Sequence, residues 1–141
     1  MRTIKEGQNV FVNSTLKNVF LIPKSFSKIP FQEIKDEILG RQYELSITLI
    51  GKKRMRTLNK VYRQKDYATD VLSFTADKNL GEIFINPNVA QSKSKNFEMS
   101  YENYLLFLVI HALLHLKGLD HGDKMERYEL AYYNRYRHRY L

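Results

Sequence analysis

The stretch that decides how this chain is read is His111-Ala112-Leu113-Leu114-His115-Leu116-Lys117-Gly118-Leu119-Asp120-His121. The chain has four histidines, and three of them fall here. Positions 111 and 115 are four apart, so on a helix both imidazoles project from one face, about a turn apart. Gly118 is the residue type that takes positive φ and ends a helix, and His121 follows on the returning chain. Two ligands on a helix and a third brought round by a turn build a three-histidine metal site. Such a site leaves one coordination position open for water or substrate.

A lone histidine on an apolar helix is ordinarily a core residue with satisfied nitrogens. Two at this spacing, among Leu, Phe, Val and Ile, would each bury an imidazole that needs partners at both nitrogens. A shared cation removes that difficulty. The chain has no cysteine, so the donors are nitrogen and oxygen, and three neutral imidazoles with an open fourth position suit Zn²⁺. The ligand type also admits nickel or cobalt. The spacing His-x3-His-x5-His matches the zinc ligands of metzincin proteases, whose first histidine is followed by a glutamate that acts as general base. Here that position is Ala112, which takes no proton. Peptide hydrolysis by that route is therefore disfavoured. Asp120 reads as an outer partner of the ligands or a loop cap rather than a base.

Working outward, Ser100 is placed to cap the histidine helix, with Glu102 in its first turn. The helix is apolar almost all round over 104–116, which predicts a central buried position, and a last helix is expected over 123–133. Upstream, 10–12 reads as a short strand, 16–26 as irregular, and 31–39 as a helix closed by Gly40. The segment 43–50 alternates apolar and polar residues, a strand with one wet face. A helix over 52–63 has Met55, Leu58 and Tyr62 as its buried stripe, with Lys53, Arg56, Lys60 and Arg63 roughly opposite. Segments 71–75 and 81–86 read as strands joined by a five-residue connection, an antiparallel pair. A short helix begins near Pro87.

At 141 residues with 43% hydrophobic content, ten tyrosines and eight phenylalanines, the chain is expected to fold as a single domain over 1–141. The N-terminus lacks the apolar core of a secretory signal, and the apolar run 105–116 is too short for a membrane helix. A soluble cytoplasmic protein is expected, without membrane partners. The net charge of +8 and pI near 9.6 fit a polyanionic partner such as nucleic acid, and equally fit plain solubility. In the tail, Tyr132-Tyr133-Asn134-Arg135-Tyr136-Arg137-His138-Arg139-Tyr140 interleaves rings and cations. It could stack on bases, although a helix fraying into solvent is the plainer reading.

One further stretch carries chemistry. In Asn59-x-x-Tyr62-Arg63-x-Lys65-Asp66-x-x-Thr69-Asp70-Val71-Leu72-Ser73-Phe74, Arg63 stands at a helix end beside a polar loop and offers a planar fork to phosphate. Together with Leu80-Gly81-Glu82-Ile83 and His111-x-x-Leu114-His115-Leu116-x-Gly118-x-Asp120-His121, this resembles the signatures of the YbeY endoribonuclease family, in order from about residue 43 to 130. The resemblance implies a zincin-like α+β fold, with a small mixed sheet of about four strands packed with helices around the histidine-bearing helix. It implies zinc held by His111, His115 and His121, with Arg63 and His115 as catalytic positions. It implies a single-strand-specific, metal-dependent endoribonuclease acting in ribosomal RNA maturation, including the 16S 3′ end, and in ribosome quality control. Ribosomal RNA and ribosomal particles are the implied partners. The basic face of the 52–63 helix, Lys53, Arg56 and Lys60 together with Arg63, is expected to contact the RNA electrostatically.

The chain departs from the family at Ala112, usually glycine, at Leu119, usually tyrosine, and in a shortened segment between His121 and Met125-x-x-x-Glu129. The rival readings are a non-catalytic assembly factor with structural zinc and a metalloprotease. No side chain declares itself as general base. Either a metal-activated water or the RNA 2′-hydroxyl would attack, and the two leave different product ends.

Overall fold

In the computed structural model, residues 1–138 are described; Arg139 and Tyr140 of the aromatic-basic tail lie outside them. The elements in chain order are β1 (Arg2–Glu6), β2 (Val10–Ser14), α1 (Phe31–Leu39), β3 (Glu44–Leu49), α2 (Lys52–Arg63), β4 (Val71–Asp77), β5 (Leu80–Ile85), α3 (Pro87–Asn96), α4 (Tyr101–Lys117) and α5 (Asp123–Tyr136). Two short 3-10 helices, Val19–Leu21 and Lys24–Lys28, occupy the region expected to be irregular. The fold is α+β, and its sheet has five strands in the order β1-β2-β3-β5-β4. The additional strand is β1, whose composition signals little; it is held by antiparallel pairing to β2.

The sheet is mixed because β3 pairs in parallel with both β2 and β5, while β4 returns antiparallel to β5. The β4–β5 connection is a turn at Lys78 and Asn79, tighter than the five residues expected, because pairing continues beyond the apolar run to Asp77. The expected wet face of β3 is open at Glu44 and covered only at its far end. Thr48 is buried, because α2 closes over that end of the sheet through a small cluster of Ile50, Met55 and Leu72.

The opposite face carries the main core, in which Leu45, Ile47, Leu49, Ile83 and Ile85 meet α1 and α4. Helix α4 is central, as its composition requires: Leu106, Val109, Ile110 and Leu113 are fully buried, each contributing ~1.5–3 kcal/mol by transfer from water. Its start is the expected one, with Ser100 Oγ accepting from the Asn103 N–H at 3.1 Å. Helix α3 begins at Pro87 and is capped by Asn86, which is wholly buried and accepts from the Val89 N–H at 2.8 Å.

Two sequence expectations are corrected. Tyr62 is 61% exposed, and Asn59 replaces it on the buried side of α2, where its amide donates to the Tyr67 carbonyl at 2.9 Å. The loop after α2 folds back beneath the helix and needs that hydrogen bond more than it needs a ring. Over the described residues the tail neither frays nor forms a free aromatic-basic strip: α5 runs to Tyr136, Tyr133 and Tyr136 are buried, and Arg135 pairs with Glu37 of α1. These rings serve the core rather than a base-binding surface.

Candidate metal centre and its cleft

His111 and His115 lie on α4 one turn apart. Gly118 ends the helix at φ 105°, and its N–H and that of Leu119 close back on the carbonyls of His115 and Leu114 at 2.9 and 3.1 Å, a left-handed termination open to glycine at little cost. The chain reverses, and His121 arrives on the loop before α5. The candidate ligand nitrogens of His111, His115 and His121 all lie within 4.8 Å of one another.

Hydrogen bonding orients the first two rings. His111 Nδ1 is 3.0 Å from Glu129 Oε2, and His115 Nδ1 is 3.1 Å from the Leu119 carbonyl. Both partners are acceptors, so we assign the ring proton to Nδ1 in each case. That leaves both Nε2 atoms as lone pairs, and they face each other at 3.1 Å. Two lone pairs at that separation repel unless a cation lies between them. A tetrahedral Zn²⁺ bound at 2.0–2.1 Å to each nitrogen sets ligand nitrogens about 3.3 Å apart, so the donor set fits such an ion. The pKa of His115 is lowered by burial and then by the neighbouring His111 and His121, with the Leu119 carbonyl opposing. This keeps the imidazole neutral, as a ligand must be.

Glu129 was not legible as a site residue from the sequence. It is buried on α5, four residues beyond the buried Met125, and an acidic side chain on the apolar stripe of a helix is the signal that could have found it. Asp120 is exposed, and the outer-partner position at His111 is filled by Glu129.

A cleft of about 550 Å³ opens beside the histidines, lined among others by Arg63, Asp70, Lys93, Phe97 and Tyr104. Arg63 reaches it from the C-terminal end of α2 and has no ion-pair partner among the described residues. Its charge is felt at His115. Lys53, Arg56 and Lys60 are exposed on α2 but do not line the cleft. Arg56 is tied to Asp66 by two hydrogen bonds of 2.7 and 3.2 Å, which raise the guanidinium pKa and lower that of the Asp66 carboxyl. Asp70, buried at the cleft wall, accepts from the Tyr104 hydroxyl at 2.7 Å and lies 3.7 Å from Lys93 Nζ.

With this geometry in view, the comparison with known proteins is decisive. The family model described as "Endoribonuclease YbeY" matches residues 13–136. The chain belongs to the YbeY family. Relatives named Endoribonuclease YbeY include one from Alkaliphilus metalliredigens, 37% identical over 62% of this chain and 64% of its own length. Another, from Staphylococcus aureus, is 34% identical over 68% of this chain and 71% of its own. The matched region thus spans about two thirds of these YbeY relatives. In structure the chain is similar to a Thermotoga maritima protein solved in solution, with a TM-score of 0.62 and 25% identity over 89% of this chain and 87% of the other. The YbeY match includes all three clustered histidines, Arg63 and Glu129, and begins beyond β1.

Proposed function

We propose that the chain, working as one hydrolase domain over 1–141, is a zinc-dependent endoribonuclease that cuts single-stranded RNA in ribosomal RNA maturation in the cytoplasm. The observation that carries this reading is the pair of facing Nε2 lone pairs of His111 and His115, with His121 beside them, lining a cleft that also holds the cation of Arg63, unpaired among the described residues. Family membership supports RNA as substrate, and ribosomal RNA and ribosomal particles are the partners we assign. The absence of any helix long and apolar enough to cross a membrane, among the described residues, is compatible with the compartment.

His111, His115 and His121 would hold the ion, with Glu129 and the Leu119 carbonyl keeping two of the rings in the ligating tautomer. Zinc bound there would supply Lewis-acid polarisation of a phosphoryl oxygen and an acidified water. Arg63 offers two parallel N–H donors to the non-bridging oxygens of the phosphate and stabilises the charge that grows on them. Ala112 is buried and holds no proton, and the carboxylate of Asp70 is already engaged by Tyr104 and Lys93.

The test is cleavage of an end-labelled single-stranded RNA by zinc-loaded protein, with chelator, His115→Ala and Arg63→Ala arms. Chelator and His115→Ala should abolish cutting, and Arg63→Ala should lower the rate about 10²–10³-fold. Equal cutting in all arms would identify a contaminating nuclease and remove the proposal. Zinc-dependent cleavage of casein in place of RNA would revive the protease reading against Ala112. Zinc binding without cutting any RNA would favour the assembly factor.

A further inference from the structure

The cleft extends away from the histidines to an end that the metal chemistry leaves unused. There Phe97, the residue following α3, is 60% exposed, with its ring packed flat on Tyr104 at a centroid distance of 5.6 Å and 17° between planes. Tyr104 lies nearly parallel to Phe107 (6.2 Å, 20°), and Phe107 to His111 (6.1 Å, 26°). Positions 104, 107 and 111 share one side of α4, so the helix sets these rings in a row. The row starts at a metal ligand and finishes at Phe97.

Tyr104 is locked in place. It is buried, and its hydroxyl donates to Asp70; burial, followed by Asp70, raises its pKa, so it stays a protonated donor. Phe97 thus rests on a rigid backing and leaves much of its ring to solvent, where it forgoes the stabilisation that burial would bring. Lys93, 44% exposed at its side chain, and Asn96 line the same cleft, and Lys95 is exposed in the same last turn of α3. A flat, open aromatic face flanked by cations and an amide is the arrangement that takes a base of a nucleic acid strand.

We propose that Phe97 is the stacking platform for an unpaired base of the RNA strand whose phosphate lies at Arg63, at a nucleotide other than the one being cut. This rests on the RNA reading given above. A base inside a duplex is already stacked on its neighbours and cannot be splayed onto Phe97, so the platform selects single strands over double strands. Every base has a π-face, so it selects little between sequences. Asn96 and Lys93, whose 3.7 Å ion pair with Asp70 leaves its side chain 44% exposed, face the edge and the flanking phosphate of the same nucleotide.

The chain contains no tryptophan, so Phe97→Trp introduces a single indole at the platform, excited selectively at the red edge beyond tyrosine absorption, and keeps the flat ring. Its emission should be quenched saturably by a short single-stranded oligoribonucleotide, and left unchanged by a duplex of the same length or by inorganic polyphosphate. In a second arm, an abasic site is moved along the single strand. One position should raise the Kd of the wild-type protein about five- to tenfold and leave that of Phe97→Ala unaffected, with circular dichroism confirming that the variant is folded. Unchanged emission while anisotropy reports RNA bound would overturn the proposal, as would quenching by polyphosphate or an equal abasic penalty in Phe97→Ala. Wild-type protein that cuts and binds single-stranded RNA while these arms fail would refute the platform alone. Failure of the wild type to engage any RNA would refute the endoribonuclease reading and the platform with it.

Discussion

Glu129 does for the candidate metal centre what none of the three histidines can do for itself: its carboxylate fixes the proton on His111 Nδ1 and aims Nε2 inward. Such outer partners are typically worth about 10–100-fold in metal affinity. Glu129→Gln keeps the shape and an amide oxygen acceptor but loses the charge, and is expected to weaken zinc binding by about tenfold in a chelating-dye competition. Glu129→Ala also leaves a half-buried Nδ1 without a partner and should approach the upper limit. Affinities within twofold of the wild type for both variants would show that the rings need no such support.

The pH response is set at the same scale. Burial lowers the pKa of His115 from its ordinary 6.5, so the unfolded chain takes up the proton at a higher pH than the folded protein does. Metal-free protein therefore keeps this contribution to stability above about pH 6.5 and loses it as pH falls through the lowered folded value. Zinc binding should follow the same direction, holding near pH 7 and falling steeply below pH 6 as protons displace the ion. A thermal-melt series in chelator, repeated with His115→Gln, measures it: the acid decline should flatten in the variant.

At the scale of elements, the helices and turns are anchored by single polar groups. Asn86 both caps α3 and donates its amide to the buried Ile50 carbonyl at 3.0 Å. Asn86→Ala should cost about 2–3 kcal/mol, from a lost cap and an unsatisfied buried carbonyl, and lower the melting temperature by roughly 6–12 °C. Gly81 in β5 is required for a different reason. A methyl group there would meet the Tyr43 hydroxyl and the Leu116 side chain, so Gly81→Ala should cost about 1–3 kcal/mol by overpacking, read as a shifted urea midpoint with an unchanged slope. Helices α1 and α2 have the bounds that their periodicity and closing residues indicate. The exception within α2, Tyr62 against Asn59, arose because the returning loop, invisible to a periodicity argument, supplies a backbone carbonyl for the asparagine to satisfy.

For the molecule as a whole, the charge of +8 should appear as salt-dependent RNA binding. Each phosphate contact on a single strand contributes about 0.7 to the slope of log K against log salt. Replacing Lys53 and Lys60 together by Gln should lower that slope by about 1.4 if both meet phosphate, measured by anisotropy between about 50 and 200 mM salt. Arg56→Gln should change it less, because the charge of Arg56 is already matched by Asp66. An unaltered slope in the double variant would confine RNA contact to the cleft.

The three clustered histidines and the turn that brings them together are legible in the spacing of residues 111–121. Residues 111 and 115 share a face by the period of the helix, Gly118 reverses the chain at a backbone conformation few other residues accept, and Ala112 removes the protease base. These are short-range properties, fixed by spacing within a few residues. What surrounds them depends on tertiary packing. Glu129 meets His111 across the α4–α5 packing, Asp70, just before β4, meets Tyr104 on α4, and Arg63 and Phe97 reach one cleft from the ends of two different helices. Contacts between distant segments follow from how the apolar faces of sheet and helices bury one another, and that leaves no period in the sequence of the polar groups it brings together.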